Sequence, residues 1–116
     1  MSLIIAYASR GITKDLTIQD DNGTAIVPAS GDKIRAIIGH EDGTSVLTVT
    51  SDAPTSAGSS FTKNSPSNGT NRLRLDAGDL TFDPGTYTLF VDLYDSNDAN
   101  EWKNCDRVIF VLERTA

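Results

Sequence analysis

The sequence predicts an all-β fold, an antiparallel β-sandwich without a disulfide. Apolar and polar residues alternate with period two over many short stretches, and no window of about 11 residues carries helical periodicity. Clusters of Gly, Asn, Asp, Ser and Pro separate these stretches at the short, regular spacing of a sandwich or small barrel. A single cysteine, Cys105, excludes a disulfide framework. With 116 residues, 38% hydrophobic and 22% charged, the chain is expected to form one domain, 1–116, held by packing.

The strands follow in order. Residues 3–8 open with Leu3, Ile4, Ile5 and Ala6. Tyr7 and Arg10 break this run well short of the roughly 20 residues a membrane helix needs, and no basic leader precedes it, so it reads as a strand. Stretches 13–19 and 24–27 flank Asn22-Gly23, and 33–39 and 45–50 flank Asp42-Gly43. Both dipeptides tolerate the positive φ of a tight hairpin turn. Segment 51–70 holds Pro54, Gly58, Pro66 and Gly69 among Ser, Thr and Asn. It reads as a long mobile polar loop with at most a short edge strand at 60–63, around Phe61. Strands at 72–76, 86–94 and 106–113 complete the set. Residues two apart share a face. Tyr87, Leu89, Val91 and Leu93 are therefore expected to pack on Val108, Phe110 and Leu112 and on Ile34, Ala36 and Ile38. No internal repeat marks a solenoid or propeller.

The most informative stretch is Asp83-Pro84-Gly85-Thr86-Tyr87-Thr88-Leu89. It resembles the corner before strand F of immunoglobulin-like sandwiches, where Asp-x-Gly-x-Tyr buries a tyrosine whose hydroxyl bonds back to the upstream backbone. Leu89 stands where antibody domains carry a cysteine, so a disulfide-free immunoglobulin-like sandwich is implied. Most of the chain is also similar to the small immunoglobulin-like modules of tailed-phage virion proteins, such as the amino-terminal domain of baseplate upper proteins. The matching features are the Asp21 to Gly23 turn, Gly31-Asp32 before a strand, Pro84 to Tyr87, and a terminal strand ending in Phe110, Val111 and Leu112. That resemblance implies a structural, self-associating part of a virion or prophage product, with no catalytic residues to carry over.

Charge and side-chain chemistry narrow the function. Lys plus Arg number 10 against 16 Asp plus Glu, a net charge of -6. This disfavours nucleic acid and anionic membranes as partners, since both need basic neutralisation. The only histidine, His40, falls in a solvated turn, and Cys105 has no second thiol or basic cluster to activate it. An enzyme is not expected, nor a cofactor. Stretch 95–104 gathers Asp95, Asn97, Asp98, Asn100 and Glu101 beside Trp102, and is the candidate ligand loop. Ala99 breaks the alternate spacing of a calcium loop, and the loop lacks that motif's glycine and distant glutamate, so no metal is expected. Asp92 and Glu101 could be paired as glycosidase carboxylates, but a cleft with aromatic walls would be required. Trp102 could anchor a sugar or shield strand ends.

The opposite side of the predicted core strands carries Ile37, Phe90, Ile109 and Val111, too apolar for a solvated sheet. Either the chain covers this face itself, with 3–7 or the 51–70 loop, or the face is a subunit interface. The leading expectation is a non-catalytic assembly module, a homo-oligomer or a partner of other virion proteins, located in the virion if phage-derived and otherwise in the cytoplasm. The alternative is a carbohydrate- or cell-surface-binding sandwich using 95–104.

Overall fold

Alternation along the chain becomes ten strands in a computed structural model that describes residues 3–20, 22–96 and 101–114. In order they are β1 (Leu3–Tyr7), β2 (Ile12–Leu16), β3 (Ile18–Gln19), β4 (Ala25–Ile26), β5 (Lys33–Gly39), β6 (Ser45–Thr50), β7 (Ser60–Thr62), β8 (Asn71–Leu75), β9 (Gly85–Tyr94) and β10 (Trp102–Glu113). The helical element among the described residues is one 3₁₀ turn, Ala77–Asp79, capped where the Asp76 carboxylate accepts from the Gly78 N–H.

The strands form a five-stranded sheet in the order β1-β10-β9-β5-β6, a three-stranded sheet β2-β8-β7, and the pair β3-β4. Every pairing is antiparallel except β1 with β10, which run parallel. The result is an immunoglobulin-type β-sandwich: β2, β8 and β7 take the places of strands B, E and D, and β6, β5, β9 and β10 those of C′, C, F and G.

One hydrophobic core lies between the sheets. All ten residues expected there are buried: Ile34, Ala36, Ile38, Tyr87, Leu89, Val91, Leu93, Val108, Phe110 and Leu112. From the facing layer Leu73, Leu75 and Phe61 meet them, with Ile4, Ala6, Ile18, Val49 and Leu80 closing the periphery. The Tyr87 hydroxyl donates to the Asp83 carbonyl at 2.5 Å, the tyrosine corner that the Asp-x-Gly-x-Tyr spacing predicts. Gly85, at φ 158°, is the start of β9, and Phe82 packs edge-on to the Tyr87 ring at 5.0 Å.

Two elements differ from the sequence reading. The strand expected over 13–19 divides at Thr17, because the chain changes partner there: β2 pairs with β8 and β3 with β4. The last strand starts at Trp102 rather than near Asp106, since a bulge between Asn104 and Asp106 admits one extra residue, Cys105. Such an insertion reverses the in-out alternation and hides the strand's first half from a periodicity reading. Segment 51–70 is a loop with a short edge strand, β7, around Phe61, as expected, and hydrogen bonds link the rest of it to its neighbours. Thr55 and Ser59 hydroxyls both donate to the Asp79 carboxylate, and the Ser59 hydroxyl accepts from the Asp76 N–H at 2.7 Å. Buried Asn71 accepts from the Asn64 N–H and donates to the Leu16 carbonyl, while Asn64 reaches the Pro28 carbonyl at 2.8 Å. Polar side chains thus supply the ordering that apolar burial could not.

Candidate functional site

The outer face of the five-stranded sheet is assembled by register. Tyr94 stands beside Trp102 and Lys33, Asp92 beside Asn104 and Arg35, and Phe90 beside Arg107 and Ile37. Farther along, Ile109 lies between Thr88 and Leu3, and Val111 between Thr86 and Ile5. The face therefore has three zones with different chemistry.

At one end is a charged and aromatic zone. Arg35 Nε donates to Asp92 Oδ2 at 2.8 Å, and its guanidinium lies 4.3 Å from the centre of the Trp102 ring. Asn104 Nδ2 donates to the other Asp92 oxygen at 3.0 Å. Asp92 is buried, and both its oxygens are satisfied by neighbours on the same face. Lys33 Nζ sits 5.5 Å from the centre of the Tyr94 ring, which lies 5.6 Å from that of Trp102. One face of the indole is thus taken by Arg35.

The middle zone is roofed. Arg107 places its guanidinium 5.3 Å from the centre of the Phe90 ring and ion-pairs with Glu41 at 3.3 Å. Glu41, carried over by the His40 to Thr44 turn, also accepts from the Thr88 hydroxyl at 3.1 Å. Phe90 and Ile37 are half-buried here. The long aliphatic part of an arginine covers apolar surface while its head stays in water, so these two of the four expected interface residues are partly covered by the chain itself.

The third zone is open and apolar. Leu3, Ile5, Tyr7 and Ile109 are 57, 44, 48 and 39% exposed, and Val111 is half-buried among them. The segment 3–7 does not cover the face, as one reading of the sequence allowed. It joins the sheet as an edge strand, sends Ile4 and Ala6 into the core and adds Leu3, Ile5 and Tyr7 to the exposed strip. These three residues were missed as interface candidates. Their period-two pattern was visible, but only the parallel pairing with β10 puts them beside Ile109 and Val111.

The remaining candidates fall elsewhere. Asp95 is half-buried, Glu101 is exposed, and Trp102 is half-buried at the start of β10. Asn97, Asp98 and Asn100 lie outside the described residues. Among the described residues no three His, Cys, Asp or Glu side chains converge as metal ligands. His40 is exposed in its turn, its ring 5.0 Å from that of Tyr87. Cys105 is half-buried against the core at the bulge, its thiol 3.5 Å from the Lys103 carbonyl.

One buried carboxylate, Asp32, holds Ser96, two residues beyond the end of β9. It accepts from the Ser96 N–H at 3.0 Å, the Ser96 hydroxyl at 3.1 Å and the Ala29 N–H at 2.8 Å. Lys63 Nζ closes the same bend by donating to the Ala29, Ser30 and Asp32 carbonyls. Burial pushes the Asp32 pKa up, but the donors from Ser96 and Ala29 and the Lys63 charge together hold it below the ordinary carboxylate value. Comparison with known protein families and with curated proteins finds no match for this chain.

Proposed function

We propose that the chain is a non-catalytic structural or assembly module, a component of a phage or prophage virion that works by self-association or by docking to neighbouring virion proteins. The observation that carries this reading is the open strip of Leu3, Ile5, Tyr7, Ile109 and Val111 on the outer face. These side chains adjoin one another across β1 and β10, and contiguous exposed apolar surface is a feature of interaction sites. Arg107 partly covers Phe90, and of the large apolar residues that remain exposed Leu3, Ile5, Tyr7 and Ile109 gather on β1 and β10, while Val46 lies at the opposite edge of the sheet and Val27 outside it. The sandwich architecture does not by itself select a function. The virion assignment draws on the Pro84 to Tyr87 corner and the turn motifs that resemble baseplate modules.

Two measurements test the reading. Light scattering after chromatography at tens of micromolar, where a specific contact of micromolar strength persists, should give a mass above the monomer's 12.4 kDa. The Ile5→Lys/Ile109→Lys double variant should return it to monomer with an unchanged circular dichroism spectrum. Mass spectrometry of purified particles from the organism that carries the gene should find the chain among the virion proteins. A monomeric wild type absent from such particles overturns the proposal.

A further inference from the structure

We infer that the occupant of the strip is a second copy of this chain, joined by antiparallel pairing of β1 with the copy's β1 about a twofold axis at Ile5. This inference rests on the assembly reading above and specifies its geometry.

The argument begins with the edges of the sheets. An exposed edge strand invites pairing with another chain, and proteins block it with charges, bulges or very short strands. The described edges of this molecule are blocked in those ways, with one exception. β2 carries Lys14 and Asp15, the latter paired with Arg72 at 2.9 Å. β7 has three residues, and β3 and β4 have two each. β6 is bulged at Val46, where the register with β5 shifts between Ile38 and Gly39. β1, at the end of the five-stranded order, is five residues long, uncharged, unbulged and free of proline.

The backbone phase of β1 is also fixed. Its continuation, the Ala8 N–H, donates to the Glu113 carbonyl of β10 at 2.8 Å, so the Tyr7 carbonyl on the same peptide points the other way. Peptide direction alternates along a strand. The Ile5 N–H and C=O, the Leu3 C=O and the Tyr7 N–H therefore all face the open edge. The Tyr7 carbonyl ends this run by accepting from the Arg10 N–H at 3.0 Å. A twofold axis at Ile5 uses every one of these groups: Ile5 N–H meets the copy's Ile5 C=O, and Tyr7 N–H meets the copy's Leu3 C=O, each twice by symmetry.

Side chains agree with that register. On the outer face Ile5 would stand against Ile5 and Leu3 against Tyr7, joining the two strips into one. On the inner face Ile4 would stand against Ala6, large against small. Two chains of net charge -6 repel, and a contact strand without charge adds nothing to that repulsion. Closed pairing through one self-complementary patch is also the commonest route to a homo-oligomer.

A short bifunctional thiol cross-linker tests the geometry. In a Cys105→Ser background, Ile5→Cys should link to a species of twice the mass, and Thr48→Cys, on the opposite edge, should stay single. Ile5→Pro removes an open-edge N–H that β10 does not use, so it should abolish the dimer while the core stays folded. A wild type that associates while Ile5→Cys fails to cross-link overturns the β1 pairing and leaves the assembly reading standing. A wild type that stays monomeric at tens of micromolar overturns the pairing, and if it is also absent from purified particles it overturns the assembly reading as well. Retention of dimer by a folded Ile5→Pro variant also overturns the pairing.

Discussion

The Tyr87 hydroxyl donates to the Asp83 carbonyl at 2.5 Å, and its ring is buried among Phe82, His40 and the core. Tyr87→Phe keeps the packing and loses the bond, so it should lower stability by about 1 kcal/mol in urea denaturation. Two residues on, Leu89 is fully buried. Leu89→Ala should cost about 2 to 5 kcal/mol, because a close-packed core relaxes only partly around the cavity; an unchanged melting curve would contradict its central placement. Asp32 gives a pH signature. Its carboxyl is more acidic in the folded chain than in the unfolded one, so its contribution is present above the unfolded pKa and is lost as pH falls through the folded value. Asp32→Asn should therefore be less stable than wild type at neutral pH, and the two should converge in urea midpoint below about pH 4. Parallel pH profiles across that range would show that Asp32 does not act through its charge.

At the scale of elements, segment 51–70 shows how a polar stretch becomes ordered. Asn71, fully buried at the start of β8, spans the Asn64 N–H and the Leu16 carbonyl. Asn71→Ala leaves both without that partner and should cost about 1 to 3 kcal/mol. The same substitution should expose Lys63, whose ammonium is otherwise held by three carbonyls of the 29–32 bend. Trypsin should then cut after Lys63 faster in the variant than in the wild type. Equal cutting rates would mean that the segment is already open. The alternating run 86–94 was legible from sequence because every residue obeys one period. The first half of β10 was not, since the Cys105 insertion reverses the alternation within a single strand. The hydrogen bonds that hold segment 51–70 were not legible either, because side-chain hydrogen bonds have no period to read.

For the molecule as a whole, salt separates an apolar self-contact from electrostatic docking. Charges beyond about 10 Å are screened at 0.1 M salt, so raising ionic strength should weaken the repulsion between two copies of net charge -6. Sedimentation equilibrium should show tighter self-association at 0.5 M than at 0.05 M sodium chloride. The opposite trend would point to ion pairs, such as those of Arg107 and Glu41, as the contact instead.

The sequence by itself determined the all-β class, the ten-residue central core, the tyrosine corner and the two glycine turns. Each depends on neighbours a few residues apart, and a strand's alternation or a turn's positive φ is a local property. The tertiary structure decided what the outer face offers. From sequence, Ile37, Phe90, Ile109 and Val111 formed one equivalent set. In the fold Arg107 roofs Phe90 beside Ile37, while β1 lays Leu3, Ile5 and Tyr7 alongside Ile109 and Val111. That division comes from pairing residues more than a hundred positions apart, Leu3 with Ile109 among them. No local pattern encodes such a contact, because it exists only once the first and last strands share a sheet.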